Sequence, residues 1–191
     1  MKKLQATSDA ARLLAAAEFA AFKHRDQRRK GVKGSPYINH PLAVVSLLAG
    51  EGGVADTDVL MAAILHDTIE DTLTTRAELE REFGVAVASI VAEVTDEKGQ
   101  SKKLRKEMQV AHAPRLTREA KLVKLADKIC NLRDVIARPP NWELARKQEY
   151  FDWAKRVVAG LRGAHPDLEA TFDHVFALRP AEGEKRDQLT P

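Results

Sequence analysis

The chain has 191 residues, 44% hydrophobic and 31% charged, enough for one domain with a real core and too few for two comfortable ones. Its 31 basic and 28 acidic side chains leave a net charge of +3, too small an excess to imply nucleic-acid binding by itself. The single cysteine, Cys130, excludes an internal disulfide and fits a reducing compartment, while 5% aromatic content beside abundant Ala and Leu favours helix over β-sandwich.

Nearly every segment repeats its apolar residues at helical period. The first helix is expected over 8–27, with Ser8 as N-cap and Leu13, Leu14, Ala17, Ala20 and Ala21 on one stripe. Gly31, Gly34 and Pro36 mark a loop. Asn39 then caps a second helix with Pro41 in its first turn, running to Leu48 before Gly50, Gly52 and Gly53. A third follows Asp56 or Thr57 and carries the apolar run from Val59 to Leu65. Thr75 and Glu78 have capping-box spacing for a fourth helix that breaks near Gly84. Residues 85–94 read as a short apolar helix and 102–112 as a charged one. Thr117 caps a long helix through Ile136, ended by Pro139 and Pro140. Asn141 caps the next, to about Leu161, with Gly163 as its C′ residue; His165-Pro166 opens the last, ending near Leu178. The polar tail 179–191 is expected to be disordered, which leaves 1–178 as one all-α domain.

No stretch approaches the roughly 18 apolar residues of a membrane span. Near the N-terminus Asp9, Arg12 and Glu18 break the apolar run that a secretory signal needs. A cytoplasmic protein is expected.

The chemistry gathers in His66-Asp67-Thr68-Ile69-Glu70-Asp71, directly after the apolar run. On one continuous helix His66 and Glu70, and Asp67 and Asp71, are four apart and share a face. Three carboxylates cannot be buried together without a cation or a solvated cleft. His66 and Asp67 can lean towards one ion, with His40 and Asp127 as candidates to complete the site. Two imidazoles and two carboxylates, without thiolate, suit Mn²⁺, Fe²⁺ or a similar octahedral ion better than structural zinc. Glu70 and Asp71 are then free to take a water's proton and orient it. Each piece also has a plainer role. A histidine before proline is commonly a satisfied helix start, and Asp127 falls on a polar stripe with Lys124, Asn131 and Asp134. His24, His112, His165 and His174 lack acidic clusters and read as structural or surface groups, and Cys130 as core. Two basic clusters, Lys23 to Lys33 and Lys102 to Lys106, can attract a phosphate-rich ligand.

In order through 24–30, 37–41, 66–72, 121–134 and 149–153, the sequence resembles the HD hydrolase domain of RelA/SpoT-type enzymes, and especially the single-domain small alarmone hydrolases. The likeness runs over about residues 8 to 178. It implies a bundle of about ten helices and Mn²⁺ held by His40, His66, Asp67 and Asp127, with Glu70 and Asp71 as the catalytic pair. It implies cleavage of the 3′-pyrophosphate of ppGpp or pppGpp to GDP or GTP. Arg25, Arg29, Lys30, Lys102, Asn131 and Tyr150 match positions that line or approach the nucleotide pocket. The long family members add synthetase and regulatory domains that have no counterpart in the matched region, so hydrolysis without synthesis is expected.

Two other substrate or function classes compete. The same metal chemistry acts on the 2′-phosphate of NADPH or on other nucleotides, which side-by-side turnover separates. A non-enzymatic alarmone sensor would be expected to lose ligands or the Glu-Asp pair, and all six residues are present. RNA binding is not expected, since no aromatic residues interleave with the basic ones. The sequence leaves the oligomeric state open.

Overall fold

The computed structural model describes residues 8–29, 34–97 and 99–181. Among these run ten α-helices: α1 (Asp9–Lys23), α2 (Asn39–Gly50), α3 (Thr57–Leu65), α4 (Thr68–Asp71), α5 (Arg76–Phe83), α6 (Val85–Val94), α7 (Lys102–His112), α8 (Arg118–Ala137), α9 (Leu144–Ala159) and α10 (Pro166–Ala177). A 3-10 turn, Ala113–Arg115, joins α7 to α8. The only β pairing among the described residues is an isolated bridge between Arg28 and Pro36, so the fold is all-α. No helix among the described residues is long and apolar enough to cross a membrane.

The core is built around α3. Every side chain from Val59 to Leu65 is buried, and α1, α2, α6 and α8 pack against it. A helix apolar on all faces has no stable place except inside. Each large side chain buried there contributes about 1.5–3 kcal/mol. α8 is the second buried element. Its residues 122–130 are buried without a break, and that run includes Lys124, Asp127 and Lys128. Charged groups at such depth require partners or a cleft.

Local chemistry sets most helix starts. Ser8, Asp56, Thr75, Ser101 and Thr117 each accept a backbone N–H from the first turn that follows. Gly84, with φ +91°, lets α5 end and α6 begin at one residue. Several boundaries differ from the sequence expectation. α1 stops at Lys23, because His24 and Gln27 bond to one another in a tight turn. Asn39 already lies inside α2, whose N-cap position is Ile38 and has no side-chain cap. α9 starts after Glu143, since Trp142 N–H is taken by Pro140 O at 2.7 Å and holds Asn141 in a turn.

α7 buries none of its side chains. It is held from α9, where Trp153 Nε1 donates to Lys106 O at 3.1 Å. The end of α9 closes on the 3-10 turn so tightly that a Cβ at Gly160 would stand 2.8 Å from Pro114 Cδ. Beyond α10, Arg179 makes two hydrogen bonds to Asp152 at 3.0 and 2.7 Å, and Pro180 O accepts from Gln148, so the expected tail starts against α9. Its remaining part, 182–191, lies outside the described residues.

Candidate active site

The six-residue motif does not ride on one helix. α3 ends at Leu65, His66 and Asp67 form a turn, and Thr68 begins the single turn of α4. Side chains cause the break. His66 Nδ1 donates to Ala63 O at 2.8 Å and Thr68 Oγ1 to Leu65 O at 2.7 Å, so both bond carbonyls that a continuing helix would offer to Asp67 and Ile69. The turn swings His66 and Asp67 towards α2 and α8.

There they meet His40, in the first turn of α2, and Asp127, midway along α8. His40 Nε2 lies 3.1 Å from Asp127 Oδ1 and 3.9 Å from Asp67 Oδ2. His66 Nε2 lies 3.0 Å from Asp67 Oδ2 and 3.8 Å from Asp127 Oδ1. Neighbouring donors on one octahedral ion with bonds of about 2.1 Å stand roughly 3 Å apart, so these spacings fit a shared cation. His66 adds a sharper test. Its Nδ1 carries the proton given to Ala63 O, so Nε2 is the nitrogen that offers a lone pair to an ion once the ring is neutral. That nitrogen is buried without a hydrogen bond, although two carboxylate oxygens face it. A ring nitrogen kept dry and gathered with carboxylates fits a ligand atom. His40, His66 and Asp67 form a group that could hold a metal ion, with Asp127 against both histidines.

Further bonds fix the carboxylates. Tyr37 OH donates to Asp67 Oδ2 at 2.5 Å. Asp127 accepts from Asn131 Nδ2 at 2.5 Å and from Lys128 Nζ at 3.0 Å. Burial alone would raise the Asp127 carboxyl, but Lys128 and His40 hold it well below its usual range. Burial likewise opposes the Asp67 charge, and His66 overcomes it. Burial disfavours the His66 imidazolium, yet the Asp67 and Asp127 charges lift its pKa to about 9. His40 goes the other way, lowered by burial. Glu70 is raised by burial and by Asp96 and Asp67, while accepting from Arg105 at 3.1 Å and from Asp96 N–H at 3.3 Å.

All four candidate ligands open into a cleft of about 350 Å³. Six cationic side chains, Arg29, Lys102, Arg105, Lys106, Lys124 and Lys128, line it beside five carboxylates, Asp67, Glu70, Asp71, Asp96 and Asp127. Arg29, Lys102, Asn131 and Tyr150 stand on its wall as the resemblance implies. Arg25 does not: it leans on the Phe22 ring, donates to Phe22 O and pairs with Asp26 on the outer side of the turn. Lys30 lies outside the described residues.

The polar stripe of α8 faces this cleft rather than open solvent. Lys124 is buried and donates to Val94 O at 2.8 Å, and Asp134 holds Arg29 at 2.6 Å. Sequence reasoning gave no role to Gln27, Tyr37, Asp96, Lys128 or Trp153. Lys128 did leave a trace, as a charge inside an apolar helix. Lys106 and Lys128 both lie over the Trp153 ring, at 4.9 and 4.5 Å, a pairing invisible without the fold.

The family described as HD domain matches residues 16–159. The chain is 56% identical over 171 residues to guanosine-3′,5′-bis(diphosphate) 3′-pyrophosphohydrolase MESH1 of Xenopus tropicalis, covering 89% of this chain and 96% of that one. To the protein of the same name from Homo sapiens it is 53% identical over 173 residues, covering 90% and 97%. A solved structure of a metazoan ortholog of SpoT, said to hydrolyse ppGpp and to play a role in starvation responses, superposes with a TM-score of 0.87 at 44% identity, over 91% of this chain and 98% of that one.

Proposed function

The chain belongs to the HD-domain family, and on that premise we propose that it hydrolyses guanosine 3′,5′-bis(diphosphate) at the 3′ position, releasing pyrophosphate. The observation that carries this reading is His66 Nε2, a buried ring nitrogen without a hydrogen bond that faces two carboxylates at the foot of a cation-lined cleft. The activity attached to relatives more than half identical over nearly their whole length supports the substrate.

His40, His66, Asp67 and Asp127 would hold one divalent cation, and the nitrogen–carboxylate donor set favours Mn²⁺ over structural zinc. When bound, that ion lowers the pKa of water and offsets phosphate charge. Glu70 then receives the proton of the attacking water, its raised pKa placing it nearer the working pH of a general base. Asp71 orients the same water. The water oxygen bonds to the phosphorus next to the ribose, the bond from that phosphorus to the 3′ oxygen breaks, and the proton passes to the departing 3′ oxygen. Arg29, Lys102 and Asn131 hold the nucleotide, with Tyr150 on the same wall. Lys30, by its place in the motif, belongs with them. A cytoplasmic location accords with this reading, since the single cysteine, Cys130, is a free thiol.

The test strips the chain with chelator and adds back single divalent ions, with ppGpp, pppGpp and NADPH as substrates. Loss of activity, best rescue by Mn²⁺, and pyrophosphate release from the guanosine substrates are expected. Full activity without metal, equal rescue by Ca²⁺, or phosphate release from NADPH alone would overturn the reading.

A further inference from the structure

α4 is a single turn, too short to hold its own side chains in place by helical hydrogen bonding. Asp71 ends that turn and is exposed, so its direction has to be set from elsewhere. The donor is Gln27, whose Nε2 bonds Asp71 Oδ2 at 2.8 Å across 44 positions of chain. Gln27 is itself held at three more points. Its N–H donates to His24 O at 2.9 Å, its carbonyl accepts from Tyr37 N–H at 3.1 Å, and its Oε1 lies 2.6 Å from His24 Nδ1.

The roles in this chain are forced by chemistry. A carboxylate only accepts, so the amide nitrogen faces Asp71; the amide oxygen then faces His24, and His24 Nδ1 must be the donor. His24 is buried, and its other nitrogen, Nε2, has no partner. An apolar side chain would avoid that cost, so packing alone does not explain a histidine here.

We infer that His24 and Gln27 are positioning residues: His24 fixes the Gln27 amide, and Gln27 aims Asp71 at the reacting water. The inference rests on the role proposed above for Asp71. Partners of this kind typically change activity about 10–100-fold when removed.

The test is a double-mutant cycle on full-length, metal-loaded protein, reading kcat, KM and bound metal. Gln27→Leu is expected to lower kcat about 10–100-fold with KM and metal content nearly unchanged. In the Asp71→Asn background the same substitution should cost less than about twofold, because its effect runs through the missing carboxylate. His24→Leu should match Gln27→Leu, and His24→Asn, whose amide N–H can replace Nδ1–H, should restore most of the rate. If His24→Leu does not fold, Gln27→Leu, at a partly exposed site, carries the cycle. An equal loss in both backgrounds would overturn the relay while leaving the role of Asp71 intact. Wild-type turnover in Asp71→Asn alone would overturn that role and the relay with it.

Discussion

His66 and Asp67 differ from Glu70 and Asp71 in what surrounds them, and the two pairs should fail differently. His66→Ala, Asp67→Ala and Asp127→Ala remove donors from the cluster, so metal content and activity should fall together. Glu70→Gln and Asp71→Asn should keep the ion and lose roughly 10²–10⁴ in kcat, the usual range for placed acid–base groups. Metal analysis beside turnover distinguishes these outcomes, and loss of metal from the second set would erase the division of roles. His66 also predicts a proton count. Without metal its pKa of about 9 lies above the ordinary 6.5, so the imidazole is charged at pH 7.5. His40 is lowered by burial and already neutral. A cation needs both lone pairs, so binding should release close to one proton, and affinity should climb about tenfold per pH unit until pH 9. Calorimetry in buffers of different ionisation enthalpy measures this; no proton released would contradict the pairing. By the same sign, the metal-free fold keeps the full His66–carboxylate stabilisation below about pH 6.5 and loses it through pH 9. Which residues gather in the cluster could be read from the chain, because acidic and imidazole groups beside apolar runs need a reason to be there. Where Arg25 points could not, because its direction follows from the Phe22 ring beneath it and not from its neighbours in sequence.

Between α3 and α4 a few side-chain bonds decide where a helix stops. Thr68 is buried, and its hydroxyl satisfies Leu65 O. Thr68→Val keeps the shape but strands that carbonyl, so stability should fall by about 1–3 kcal/mol. Activity should fall as well, since α4 carries both carboxylates proposed as the catalytic pair. Urea unfolding and turnover on one preparation check this, and unchanged values for both would show that the break is set elsewhere. The helix pattern itself was legible, because caps such as Asp56, Thr75 and Thr117 act on the turn next to them. The break after Leu65 was not. A continuing helix and an interrupted one share the same apolar period, and only the bonds from His66 and Thr68 to backbone carbonyls separate them. Asn39 and Asn141 show the same limit, being good caps in isolation that the tertiary fold places elsewhere.

For the molecule as a whole, a net charge of +3 understates what a ligand meets. With six cations, five carboxylates and, when one is bound, a divalent ion, the cleft is positive enough to draw a polyphosphate inward. Screening should weaken capture more than chemistry. Raising ionic strength from about 50 to 200 mM should lower kcat/KM for ppGpp several-fold and leave kcat nearly unchanged. A flat kcat/KM would mean the wall is neutralised from within. The two sides of that cleft answer to different demands. α2, α8 and the turn after α3 would hold the candidate ion with residues set into the core, and a change there threatens the fold. α7 presents Lys102, Arg105 and Lys106 on a helix with no fully buried side chain, fastened from α9 by Trp153 and across the cleft by Arg105 to Glu70 and Gln109 to Asp96. Substitutions on the exposed face of α7 should therefore cost the fold less than changes in α3 or α8, and those at the cleft should alter which anions are admitted. A lineage carrying this architecture can drift between nucleotide substrates through α7 while the candidate metal cluster stays in place, provided the Arg105–Glu70 pair is kept.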